Sequence, residues 1–464
     1  MSSAVNVPTE LGTERIGTLL RKFAVPGIIA QTASSLYNMV DSIFIGHIPD
    51  VGSYAISGLA VTFPLMNFSV ALGTLVGVGG LTMVSVLLGQ KKYGVANNVL
   101  SNVFTLNTLL GLVFTAIALI YLDPILRFFG ASDATLPFAR DYMVIILAGN
   151  VITHLYFGLN GIIRASGNPR TAMALTLFTV TSNAILDPIF IFVFGLGIKG
   201  AALATILCQL ISLVYTLKFF SNPERVPHFP KRIFQIEWKI AKSSLAIGVG
   251  PFLMNAAACL VALFVNQQLA KYGGDLAIGA YGIGNRITFM FIMIVMGLTQ
   301  GMQPIVGYNY GARLYSRVKK VFYISCVWAV ATTTLCFAVS EFIPGIAASL
   351  FTPDEQLCTL AANGLRIMNA GIALVGFGMV CTILFQSIGM VRVSIFLSLV
   401  RQLIILVPLL YCLPLMLEEK GVWMSFPISD AASILISAIF VIRLFVKMSK
   451  LGDGEDASIL GSKL

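Results

Sequence analysis

Three aspartates, Asp41, Asp187 and Asp430, lie inside stretches that are otherwise apolar. A carboxylate at the centre of a membrane helix costs about 2.5–3.5 kcal/mol on insertion scales, so each is a candidate for a task. Ser34, Tyr37 and Asn38 precede Asp41 at i−7, i−4 and i−3, which places them on its helical face. Thr176, Thr179, Asn183 and Asp187 step by three or four into a second polar stripe, and Thr205 and Gln209 follow at i, i+4. Hydroxyl, amide and carboxyl oxygens are hard ligands, so Asp41 and Asp187 could bind Na⁺ as a metal pair. Two crowded carboxyls in a dry site also favour uptake of a proton by one of them. The residue types leave H⁺ and Na⁺ both open. Asp430 differs, because Arg401 or Arg366 could neutralise it.

Other residues suggest a cavity and a hinge. Phe289, Met290, Met293 and Met296 form an apolar, deformable set suited to varied ligands. Gln31, Asn38, Thr179 and Gln209 are its polar counterparts as substrate-cavity candidates. Pro26 removes a backbone hydrogen bond and could hinge the first helix. Enzyme chemistry finds no support. The seven cysteines show no C-x-x-C spacing, and the three histidines lie far apart. No G-x-x-x-x-G-K-[ST] loop is present. No cofactor is expected, only H⁺ or Na⁺ as a coupling ion.

The elements that must position these residues follow from composition. The chain of 464 residues is 57% hydrophobic and 11% charged, against about 25% charged in soluble domains. Its apolar runs are apolar all round, the mark of helices surrounded by lipid. A span needs about 20 residues, and the sequence predicts twelve, at roughly 17–46, 54–88, 95–121, 136–163, 170–194, 199–220, 240–270, 277–310, 317–343, 358–386, 392–416 and 421–447. Most of the 30 Lys and Arg fall in alternate connections, which orients both termini to the cytoplasm. The net charge of +10 is shared among short loops, so nucleic acid is not a partner.

The fold class expected is all-α integral membrane, twelve helices as two six-helix bundles related by a pseudo-twofold along the membrane normal. The division places an N-terminal lobe at 1–220, a cytoplasmic linker at 221–239 and a C-terminal lobe at 240–464. Landmarks recur at an offset of 222: Gly79 with Gly301, Gly89 with Gly311, Tyr93 with Tyr315, and Arg170 with Arg392. Six spans per half is an even number, so both halves share one orientation, and substrate is expected between them. Asp41 and Asp187 both fall about 8–10 Å below the outer surface at 1.5 Å per residue, a depth that permits one shared pocket.

The segment PGIIAQTASSLYNMVDSIFIG (Pro26 to Gly46) resembles the first helix of the MATE family, the multidrug and toxic compound extrusion transporters. NAILDPIFIFVFGLGIKGAALAT (Asn183 to Thr205) and RASGNPR (Arg164 to Arg170) are similar to its DinF-type prokaryotic branch. The resemblance covers nearly the whole chain. It implies a V-shaped pair of bundles and drug antiport against H⁺ or Na⁺, with cation-coupling positions at Tyr37, Asp41, Asn183, Asp187 and Thr205. Another bacterial branch has acidic residues in the seventh and tenth helices. Here Asn266, Gln267, Asn363 and Asn369 stand in those helices, with no carboxylate.

The expected function is a multidrug antiporter exporting amphipathic organic cations by alternating access. It would work as a monomer in the lipid bilayer of a bacterial inner membrane. The main alternative, a flippase for a lipid-linked saccharide, would want a basic cavity, for which only Arg286, Arg366 and Arg401 are available.

Overall fold

The computed structural model describes residues 8–49, 51–230, 233–234, 236–351 and 354–455; the side chains of residues 36–40, 42–43, 46, 52–53, 56 and 275 lie outside that description. The described chain is helical and contains no β-strand. Its spans are α1 (Ile16–Gly46), α2 (Gly52–Gly89), α3 (Tyr93–Ile120), α4 (the pair Leu136–Ala148 and Asn150–Ala165), α5 (Pro169–Val193) and α6 (Ile198–Ser221). They continue with α7 (Trp238–Tyr272), α8 (Gly274–Gly311), α9 (Tyr315–Phe342), α10 (Glu355–Ser387), α11 (Val391–Cys412) and α12 (Pro414–Lys450). Ten stretches are long and apolar enough to cross a membrane unaided, and the two halves of α4 qualify together. With α1 these make the twelve spans expected.

Several spans are not plain α-helices, and each departure has a local cause. The halves of α4 meet at Gly149 with a bend of 57°. Pro188 has no N–H to give to the helix ladder, and the turn after it, Ile189–Val193, is wound as a wider π-helix. A second π turn, Val400–Leu406, comes just before Pro408 in α11. The middle of α10, Asn369–Leu374, tightens into a 3₁₀ turn. Polar side chains hold it there: Asn369 Nδ2 donates to Ser340 Oγ at 2.8 Å and to Thr288 Oγ1 at 2.9 Å, and Thr333 Oγ1 donates to the Ala373 carbonyl at 2.6 Å.

The chain forms two compact units: Met1–Thr9 with Ile29–Gly248, and Glu10–Ile28 with Val249–Leu464. The boundaries fall inside α1 and α7, not in the 221–239 connection. Both lie within three residues of a proline, Pro26 or Pro251. The physical reason is close backbone packing. Lipid is as apolar as these side chains, so helices associate through tight contacts of small residues and through polar bonds. In the first unit a Cβ on Gly79 would stand 1.9 Å from the Ser244 carbonyl oxygen, and one on Gly248 would stand 1.7 Å from that of Leu75. The opening turns of α7 are thereby seated on α2. In the second unit a Cβ on Gly301 would stand 2.5 Å from Ala24 Cα. The opening turns of α1 are seated on α8 in the same way. The repeated glycines 79 and 301 are therefore contact points with equivalent roles.

Candidate functional site

The first unit buries Asp41 from α1 and Asn183 and Asp187 from α5, with 7%, 1% and 0% of their surfaces exposed. The two carboxyl groups meet within hydrogen-bonding reach of each other. Asp187 is the last residue before Pro188, so it stands where the α5 ladder is interrupted. Its Oδ1 accepts from Asn183 Nδ2 at 2.9 Å, the i, i+4 contact expected on one helical face. Among the described residues, three oxygens are left buried without a hydrogen-bond donor: Asp41 Oδ1, Asp187 Oδ2 and Asn183 Oδ1. No Lys, Arg or His forms an ion pair with either carboxylate among the described residues.

That arrangement has a direct chemical meaning. Two buried carboxyls in contact cannot both stay charged without a cation, because like charges repel strongly where water is scarce. One proton between them, or one small metal ion on the orphaned oxygens, would satisfy the site. Three hard oxygen ligands suit Na⁺. Among the described residues no cluster of three or more His, Cys, Asp or Glu exists, so a metal here would rely on the amide and on water as well.

Sequence reasoning missed one neighbour. Tyr142 from the first half of α4 is 2% exposed and lies close to both aspartates. No spacing along the chain links it to Asp41 or Asp187. Cys208 of α6 also lies near Asp187. The other expected residues of the first unit that are described have partners of their own. Thr179 pairs with Ser212 at 2.6 Å, and Gln209 Oε1 accepts from Thr153 Oγ1 at 2.5 Å, linking α5, α6 and the second half of α4. Thr205 and Gln31 are half-buried and already have partners. Tyr37 and Asn38 belong to α1, but their side chains lie outside the described residues.

In the second unit Phe289 and Met290 are exposed at 48% and 64%, while Met293 is half-buried. Asp430 is 2% exposed and accepts from Arg401 Nε at 2.6 Å, so Arg401 is its counter-ion. Arg366 is elsewhere: it is exposed, and its Nε donates to the Glu341 carbonyl at 3.3 Å. Arg286 is exposed too.

Comparison with known proteins agrees with this anatomy. The MatE family matches residues 26–189 and 251–412. Multidrug export protein MepA of Staphylococcus aureus (strain NCTC 8325 / PS 47) is 30% identical over 439 residues, 93% of this chain and 96% of that protein. MepA of Staphylococcus haemolyticus is likewise 30% identical, over 91% of this chain and 92% of its own. The MATE multidrug transporter DinF-BH, solved in complex with a dye, is 32% identical, with a TM-score of 0.86 over 93% of this chain and 96% of that one. A MATE transporter in its outward-facing conformation, 24% identical, has a TM-score of 0.87 over 96% of this chain and 99% of its own, and shares the fold. With two matched repeats, twelve spans and curated relatives along nearly its whole length, the chain belongs to the MatE family: it is a multi-pass membrane transporter of the multidrug efflux class, not an enzyme.

Proposed function

We propose that the chain is a cation-coupled antiporter, with Asp41 and Asp187 as the coupling pair and H⁺ or Na⁺ as the ion. One observation carries this reading: two buried carboxyls in contact, with three orphaned oxygens around them and no basic partner among the described residues. Loading the pair from outside removes the repulsion and lets α1 and α5 close on each other. Pro26, two residues from the point where α1 passes between compact units, is the hinge for that movement. Tyr37, Asn183 and Thr205 complete the cation site. The ion's fall down the membrane potential supplies about 2.3 kcal/mol per charge per 100 mV.

The exported compounds are amphipathic organic cations; the candidate contacts are Gln31, Asn38, Thr179 and Gln209 in the first unit and, separately, Phe289, Met290 and Met293 in the second. Support comes from the multidrug export relatives and from DinF-BH, whose structure holds a dye. The transporter acts as a monomer in a bacterial plasma membrane, with both termini in the cytoplasm. Proteoliposomes loaded with a fluorescent cationic dye test the reading. Collapsing the Na⁺ gradient or the H⁺ gradient, one at a time, should stop transport in one case and not the other. Transport unchanged by collapse of both would refute coupling.

A further inference from the structure

Beyond the transport cycle, the second unit holds a cavity whose chemistry suits a different ligand. It has a volume of about 340 Å³ and lies between the end of α9, the short helix Pro344–Ser349 and the first turns of α10. One span ends and the next begins there, where a membrane–water boundary is expected. The cavity walls are of two kinds. Phe342, Ile343 and Ile346 are apolar and exposed at 78%, 44% and 65%, whereas Arg366, Asn363 and Thr359 are polar.

Among the described residues Arg366 has no ion-pair partner. In the first unit, three basic residues near the ends of spans sit on acids: Arg127 on Asp133 at 2.8 Å, Arg140 on Asp123 at 3.4 Å and Lys199 on Asp141 at 3.2 Å. The described contact of Arg366 is one bond from Nε to the Glu341 backbone carbonyl, with no acidic partner among the described residues. Its two terminal nitrogens have no described hydrogen bond, and the residue lines the cavity. A guanidinium edge fits two oxygens of a phosphate better than it fits water. Strongly exposed aromatic and aliphatic side chains beside it would be costly in water and are at home against acyl chains.

We propose that this cavity binds an anionic phospholipid, with the headgroup phosphate on Arg366 and Asn363 and the acyl chain along Phe342 and Ile346. A volume of this size falls within the usual range for small-molecule sites, about 300–1,000 Å³. The same phosphate chemistry could come from a soluble anion, but the apolar wall favours the lipid.

Native mass spectrometry on protein released from phosphatidylcholine nanodiscs doped with phosphatidylglycerol tests the proposal. The wild-type protein should retain phosphatidylglycerol in preference to phosphatidylcholine. Arg366→Gln should reduce that retention about fivefold, the order expected for one lost hydrogen bond. Ile346→Ser keeps the guanidinium and removes part of the apolar wall; it should also reduce retention, and it covers the case in which Arg366→Gln does not fold. Excess soluble glycerol phosphate should not displace the lipid. Equal retention by a folded Arg366→Gln variant would overturn the site. Displacement by glycerol phosphate alone would overturn the lipid assignment.

Discussion

Each unit buries an aspartate close to a π-helical turn in the fifth span of its half, yet the two are neutralised in opposite ways. In the first unit the π turn follows Asp187, and the carboxyl faces another carboxyl, Asp41, with no cation paired to either among the described residues. In the second unit the π turn contains the cation itself, Arg401, and its guanidinium binds Asp430 of α12 at 2.6 Å. The Arg401 carbonyl also accepts from Ser429 Oγ at 2.6 Å, which fixes the turn to the neighbouring helix. A carboxylate with a built-in counter-ion has no need of a mobile one. A carboxylate facing its like does. One design with two halves can thus keep one half as the exchanging element and the other as a permanently neutral frame.

The largest effect that could break this comparison is expected at the carboxyl pair. Asp41→Asn and Asp187→Asn should each insert and fold, yet reduce dye efflux in energised cells to background. Full efflux by either variant would remove the coupling role assigned to it. Next is the ion pair of the second unit. Asp430→Asn strands a half-buried guanidinium and should cost about 3 kcal/mol of stability, the low end for a buried pair, seen as an earlier thermal transition in detergent. Replacing both members, with Arg401→Met and Asp430→Leu, should recover most of that loss, because a well-packed apolar pair dispenses with the charge. If the double variant stays folded but no longer transports, Asp430 does more than complete a frame.

A smaller effect tests the equivalence of the glycine contacts. Gly79→Val and Gly301→Val should each destabilise the protein by about 1–3 kcal/mol, as overpacked contacts do, and by similar amounts. Unequal losses would show that the two seats differ in strength. The smallest effect lies outside the membrane. Leu314 leaves the first turn of α9 without a side-chain cap, and Asp453 from the C-terminal tail supplies one. Its Oδ1 accepts from the Ser316 amide at 3.0 Å, and its other oxygen accepts from the Ser316 hydroxyl. Burial opposes the charge of Asp453, but the bonds from Ser316 outweigh it and hold the carboxyl below its ordinary value of 3.8. A lowered carboxyl stabilises the folded state above that ordinary value and loses the contribution as pH falls through the folded one. Asp453→Ala should therefore melt slightly earlier than wild type at neutral pH, with the difference fading below about pH 4.

Much of this was legible in the residues before any coordinates. Twelve apolar runs and the 222-residue offset specified the number of spans and the duplication. The three- and four-residue steps from Thr176 to Asp187 put Asn183 and Asp187 on one face, and their bond at 2.9 Å agrees. Equal depth made a meeting of Asp41 and Asp187 possible. Periodicity describes one helix at a time, so it could go no further.

What tertiary structure decided is which faces meet. Tyr142 lies near the carboxyl pair although it stands about a hundred residues from Asp41 in sequence. Arg401, and not Arg366, neutralises Asp430, although both were available in sequence. The compact units divide inside α1 and α7, where backbones touch at glycines, and not at the polar connection that looked like the boundary. Hydropathy fixes depth and span because water and lipid are so different. It cannot choose partners, because to an apolar helix face the lipid and another helix are nearly the same solvent, and only close contacts and polar bonds distinguish them.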